Sequence, residues 1–151
     1  MAIAVRSATP ADLSTIVEFN RRMALETEDK SLDLEILTAG VRAVFADPSK
    51  GPYYLAEEDG ELLGQAQVTF EWSDWRNGWL WWFQGVYVRP EARRRGVFRA
   101  LYDHVYELAR RDGAVIGLRL LVEKNNDRAQ QTYLRVGMDW ANYLVLQKFP
   151  L

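Results

Sequence analysis

Cysteine is absent from all 151 residues, and histidine occurs once, at His104. No disulfide framework, thiolate nucleophile or cysteine-ligated metal can be built from such a chain. One imidazole cannot make a multi-histidine metal site, and a Ser-His-Asp triad would have to rest on His104 alone. No metal is expected. Excess charge is also lacking: 19 basic residues face 21 acidic ones, a formal net charge of -2. The strongly basic balance of a general nucleic-acid grip is missing. No apolar run approaches the ~20 residues needed to cross a bilayer. The opening Ala2-Ile3-Ala4-Val5-Arg6 has no basic region ahead of an apolar core, so no secretory signal is expected. The expectation is a cytoplasmic protein with neither a membrane nor a nucleic-acid partner.

What is present is ordinary globular composition, 48% hydrophobic and 26% charged. At this length the prior is one domain, over residues 1–151. Residues 2–8 alternate as a short strand. Thr9-Pro10-Ala11-Asp12 then reads as a helix start, with Thr9 as N-cap and Asp12 reaching back. That helix should run to about Leu25, followed by a structureless acidic stretch from Glu26 to Ser31. A second helix from about Asp33 carries Leu34, Leu37, Val41, Val44 and Phe45, and Asp47-Pro48 ends it. Residues 53–57 and 62–72 read as strands joined at Asp59-Gly60. Trp79 to Val88 is apolar on both faces, which suits a central strand, and its Gly85 suggests a bulge or a close approach. A helix follows Gly96, capped at Asp112-Gly113. Then come a strand over Val115 to Val122, a helix from Asn126 to Val136 and a last strand near Tyr143 to Phe149. The pattern predicts an α+β fold: a mixed, largely antiparallel sheet of six to seven strands with about four helices.

Two stretches carry chemistry. In Val86-Tyr87-Val88-Arg89-Pro90-Glu91-Ala92-Arg93-Arg94-Arg95-Gly96-Val97-Phe98-Arg99 a strand ends, a basic turn follows and a glycine sits where a helix begins. Free N–H groups there, at the positive end of the helix dipole, suit a phosphate. By itself the run also reads as a solvated basic loop. The second stretch, Asn126 to Gly137, reads structurally as an N-cap, an Ala129–Tyr133 pair and a C-cap.

Taken together, the two stretches resemble the GNAT superfamily of acetyl-coenzyme A-dependent N-acetyltransferases. The family's pyrophosphate motif, Arg/Gln-x-x-Gly-x-Gly/Ala, falls on Arg93, Gly96 and Phe98, with Phe98 replacing the usual small residue. Its Asn-x-x-Ala-x-x-x-Tyr-x-x-x-Gly pattern falls on Asn126, Ala129, Tyr133 and Gly137. The resemblance implies acetyl-CoA as donor, held by Val86, Tyr87, Val88, Arg93, Arg94, Arg95, Gly96, Val97, Phe98, Arg99, Asn126 and Tyr133. It implies a gap beside a bulged central strand, and Tyr133 as the acid that protonates the leaving thiolate. A phenol can hydrogen-bond sulfur as negative charge develops there.

The acceptor side is read from carboxylates. A primary amine arrives mostly as ammonium and must lose a proton before attack. Glu71 is favoured as the base, beside Glu123 and a water chain as alternatives. Glu26, Glu28, Trp72 and Asp74 are candidates for a wall around a small cationic amine. Five of the six tryptophans lie between Trp72 and Trp82; they read mainly as core or as the interface of a homodimer. The rival reading is a non-catalytic acyl-CoA-binding or sensing module.

Overall fold

The computed structural model describes residues 2–151. Five strands form one mixed sheet in sequence order: β1 (Ala4–Ser7), β2 (Tyr53–Glu58), β3 (Glu61–Ser73), β4 (Gly78–Val88) and β5 (Val115–Leu120). The first four are antiparallel neighbours, and β5 runs parallel to β4. Four helices cover the faces: α1 (Leu13–Glu28), α2 (Leu34–Ala46), α3 (Val97–Asp112) and α4 (Asp127–Arg135).

Local chemistry sets the helix starts. Asp12 accepts from the Thr9 N–H at 2.8 Å and pairs with both terminal nitrogens of Arg6, which ties the turn before α1 to β1. Asp33 caps α2 by accepting from the N–H groups of Glu35 and Ile36. The crossover α3 lays Val97, Leu101 and Val105 on Leu63, Ala66, Val68 and Phe83. On the opposite face, Ile16 of α1 and Val41 and Val44 of α2 pack on Tyr53 and Leu55. The sheet is thus a layer between two helical layers, each burying one apolar stripe.

Two expectations need correction. The sheet has five strands, not six to seven. Beyond Leu120 the chain leaves the sheet, and residues 143–149 form no strand and have no ladder partner among the described residues. The acidic stretch is also shorter than expected, because Glu26, Thr27 and Glu28 form the last turn of α1. Thr27 Oγ1 donates to the Met23 carbonyl at 2.8 Å, and Asp29 ends the helix at φ +51° with its N–H on Leu25. Carboxylates at a helix C-terminus oppose the dipole, and Glu26 is offset by a cation from outside the helix, described below.

Candidate active site

The site begins where β4 and β5 part. Their ladder ends at Phe83 opposite Leu120, whereas β4 continues to Val88, still paired with β3. Peptide groups that β4 turns toward β5 beyond Phe83 therefore have no strand partner. A bulge sits in this stretch. The step from Gln65 to Gln67 on β3 faces the longer step from Gln84 to Tyr87 on β4, leaving one extra residue in β4. Gly85 absorbs it at φ +52°, a left-handed conformation that other residues adopt at a cost.

A buried polar network holds the bulge from below. Gln65, fully buried, donates from Nε2 to the Gly85 carbonyl at 2.9 Å and lies 3.4 Å from Asn20 Oδ1. Asn20 Nδ2 in turn donates to the Ile16 carbonyl and to the Tyr53 hydroxyl. Gln65 Oε1 has no protein partner. A buried acceptor without a partner is rare and costly, and this one lies beneath the bulge. Sequence reasoning missed this pair. The signal was there: Gln65 and Gln67 share one face of a strand that is otherwise apolar near its centre.

At the end of β4, residues 89–96 turn into α3. Gly96 opens the helix at φ +82°, and a Cβ built there meets nothing within 4 Å. The first bond back to this turn runs from Ala100 to the Gly96 carbonyl, so the N–H groups of Val97, Phe98 and Arg99 lack intrahelical acceptors. The Phe98 side chain points away from the turn into the core, edge-on to Phe83 and Tyr133. Its bulk therefore leaves the turn's backbone open.

The arginines divide. Arg93 donates from Nε to the Val88 carbonyl at 2.9 Å and pairs with Glu26 at 2.6 Å, with its guanidinium over the Tyr87 ring. Arg95 pairs with Glu58, and Arg99 with Asp103. Arg94, at φ +64° and exposed, has no ion pair among the described residues. Val86 and Val88 are half-buried against the α3 core. Tyr87 turns to the opposite face, where its hydroxyl donates to Glu26 at 3.1 Å. Burial, chiefly, pushes the Tyr87 phenol up, and the Glu26 charge adds to it.

Tyr133 stands on α4 at the other side of the gap. Asn126 caps that helix by accepting from the Ala129 N–H at 3.2 Å. The Tyr133 ring packs edge-on to Phe98 at 5.2 Å, and the residue lines a cavity of about 550 Å³ between α3, β5 and α4. Among the described residues its hydroxyl has no hydrogen-bond partner. Burial pushes its phenol up from the ordinary value of 10.0, which keeps the proton on through neutral pH.

The acceptor candidates scatter. Glu26 is drawn into the Arg93–Tyr87 cluster, and Glu28 is exposed near the end of α1. Glu71 lies opposite Leu80, lower on β4 than the point where the strands part, and its Oε1 accepts from Trp82 Nε1 at 2.9 Å and Arg119 at 3.3 Å. Its geometry is that of a sheet ion pair rather than of a base facing the gap. Trp72 stacks edge-on to Trp79, and Asp74 belongs to the turn that joins β3 to β4. Trp72, opposite Trp79, stands four residues along β4 from Phe83, where the ladder with β5 ends, roughly 13 Å at about 3.3 Å per residue. His104 packs against Tyr54, and burial lowers its imidazole. No cluster of three or more metal-ligating side chains occurs among the described residues, and no helix among them is long and apolar enough to cross a membrane.

Comparison with known proteins places this architecture. Residues 15–138 match the model of the "Acetyltransferase (GNAT) family". The crystal structure of a "possible acetyltransferase" from Clostridium difficile 630 is 39% identical, with a TM-score of 0.91 over 100% of this chain and 99% of that one. A "predicted acetyltransferase with acetyl-CoA" from Clostridium acetobutylicum is 19% identical, with a TM-score of 0.77 over 97% and 96%. AAC(6')-Iy, solved with the bisubstrate analog CoA-S-monomethyl-acetylneamine, is 16% identical, with a TM-score of 0.78 over all of both chains. The last two share the fold alone. No curated protein matches the chain significantly. A mixed sheet whose parallel pair parts above a glycine bulge is, with these likenesses, the fold of an acyltransferase. The chain belongs to the acetyltransferase (GNAT) family and is an acetyl-CoA-dependent enzyme of that class.

Proposed function

We propose that this chain is an N-acetyltransferase that moves the acetyl group of acetyl-CoA to a primary amine by direct attack, with Tyr133 as general acid. The observation that carries this reading is the unpaired edge of β4 leading from the Gly85 bulge to the open first turn of α3. The fit is chemical. A diphosphate needs several convergent donors, and the N–H groups of Val97, Phe98 and Arg99 supply them, with Arg94 as the arginine left free. A pantetheine arm has amides of its own, which suit the bare peptide groups of Gln84 to Val88. Acetyl-CoA supplies the activated acetyl group.

The chain's own residues do the rest. Arg93, clamped by Glu26 and the Val88 carbonyl, fixes the turn against β4 rather than meeting phosphate itself. Gln65 fixes the bulge. Tyr133, protonated and without a protein partner, has a proton to give to a departing thiolate. Asn126 spends its oxygen on the α4 cap and keeps its amide nitrogen free for a polar ligand. The acceptor reading, a small cationic amine, keeps Glu28, exposed near the end of α1, as the carboxylate still free to meet it, since Glu26 is already paired with Arg93.

Backbone amide shifts in ¹⁵N spectra, recorded while coenzyme A is added, test the reading. The expected changes concentrate at Gln84–Val88, Gly96–Arg99 and Asn126. Changes confined to the α2 face or the β3–β4 turn would put the ligand elsewhere.

A further inference from the structure

Three glutamines on one face of the sheet share a pattern. On β3, Gln65, Gln67 and Thr69 alternate with Ala66 and Val68, which pack under α3. They therefore turn to the opposite face, the side of α1. Gln65 Nε2 donates to the Gly85 carbonyl at 2.9 Å, and Gln67 Nε2 to the Gly51 carbonyl at 3.0 Å. From β4, Gln84 Nε2 donates to Thr69 Oγ1 at 3.3 Å. A backbone carbonyl only accepts, which fixes how the first two carboxamides are turned. All three spend the nitrogen on the protein and leave the oxygen without a protein partner. Gln65 Oε1 is sealed beneath the bulge, whereas Gln67 and Gln84 are half-buried and their oxygens stay open to solvent.

Their place in the fold is where the strands part. Gln84 follows Phe83, the last β4 residue paired with β5, and stands opposite Gln67 across the ladder. Tyr133 belongs to the other face, packed on Phe98, which is itself edge-on to Phe83. An amine that attacks while Tyr133 meets the departing sulfur therefore comes in over Gln84. Negative charge on that side is already spent, Glu26 on Arg93 and Glu71 on Arg119. What the sheet offers an incoming molecule is a pair of neutral acceptors.

We infer, resting on the amine-acetylating reading above, that the acceptor is a singly charged primary amine with a hydroxyl a few bonds from its nitrogen, held through the amide oxygens of Gln84 and Gln67. Amino alcohols and amino sugars are the class. A hydroxyl brings the donor that these oxygens lack. A bare alkyl chain would take water from them and return nothing, and a site built around a hydrogen bond rejects the analogue that cannot make it. A second ammonium would enter a half-buried place with no free carboxylate beside it, which is costly. Glu28, exposed near the end of α1, is left for the single charge of the reacting amine.

Butylamine, aminopropanol and diaminopropane have the same size and differ only at the far end, which is a methyl, a hydroxyl or an ammonium. With the full chain and saturating acetyl-CoA, kcat/KM for aminopropanol should exceed that for each of the others by about 10-fold, the worth of one net hydrogen bond. Gln84→Met keeps the length of the side chain and removes its oxygen, so the preference should shrink toward one through a higher KM for aminopropanol. Gln84→Glu keeps an acceptor and should restore the preference over butylamine. The wild-type comparison stands whether or not a variant folds. Equal kcat/KM for aminopropanol and butylamine, or a preference that survives Gln84→Met combined with Gln67→Met, would overturn this inference and leave amine acetylation standing. No N-acetyl product from any of the three would overturn both.

Discussion

Glu in place of Gly96 tests whether the first turn of α3 is the anion site. The backbone there is at φ +82°, and an added Cβ meets no atom within 4 Å. Ala at this position therefore pays only for the left-handed conformation, about 1 kcal/mol, which in a chain of this size lowers Tm by roughly 2–4 °C. Gly96→Ala is thus the control that carries the strain without the charge. Glu adds a carboxylate beside the N–H groups that would meet the diphosphate. One pair of like charges at about 6 Å, in a half-exposed site with an effective dielectric near ~40, repels by about 1.4 kcal/mol. Two phosphates make that roughly 3 kcal/mol, or on the order of 100-fold in Kd. Calorimetric titration with coenzyme A should show the Ala variant near wild type and the Glu variant weakened by that factor at low salt. At high salt the gap should narrow, because exposed charges are screened. A folded Glu variant with the affinity of the Ala variant would refute the assignment.

Three further outcomes follow from the same geometry. Tyr133→Phe keeps the ring against Phe98 and removes a hydroxyl without a protein partner, so Tm and coenzyme A affinity should hold while kcat falls by about 10²-fold; single-turnover rates decide, and a wild-type rate would reduce Tyr133 to packing. Glu71→Gln should leave kcat, KM and the pH–rate profile unchanged and cost about 0.5 kcal/mol in thermal unfolding, as an exposed ion pair with Arg119 does; an altered pH–rate profile would return Glu71 to the acceptor side. Asp12 is held below its ordinary 3.8, first by its hydrogen bonds with Arg6 and against its own burial. The folded chain then binds fewer protons than the unfolded one, so this stabilisation is complete above about pH 4 and is lost as pH falls through the folded-state value. Asp12→Asn should cost roughly 1–3 kcal/mol of stability at pH 7 through lost charged hydrogen bonding, lower Tm accordingly, and flatten the acid limb of Tm against pH below about 4.

Features written locally were readable in the sequence. The Asp59-Gly60 turn, the Asp33 and Asn126 caps and the glycine that opens α3 each depend on neighbours within four residues. Gly85 was readable as a bulge because a glycine in a long apolar strand has few other uses. Long-range pairing was not readable. Glu26 and Arg93 are 67 positions apart, and only the fold shows that the first motif arginine is spent on the end of α1. How far Trp72, Asp74 and Glu71 lie from the parted strands was not readable either, because it depends on the register of β3 against β4. The strand expected near Tyr143 to Phe149 is not formed among the described residues.

The central claim is amine acetylation by this chain. The most direct test is coenzyme A thiol release from acetyl-CoA across a panel of primary amines, with the product identified by mass. The account predicts amine-dependent release matched one to one by N-acetyl product, and its near loss in Tyr133→Phe. Tight coenzyme A binding with no amine-dependent release, or release without N-acetyl product, would contradict it.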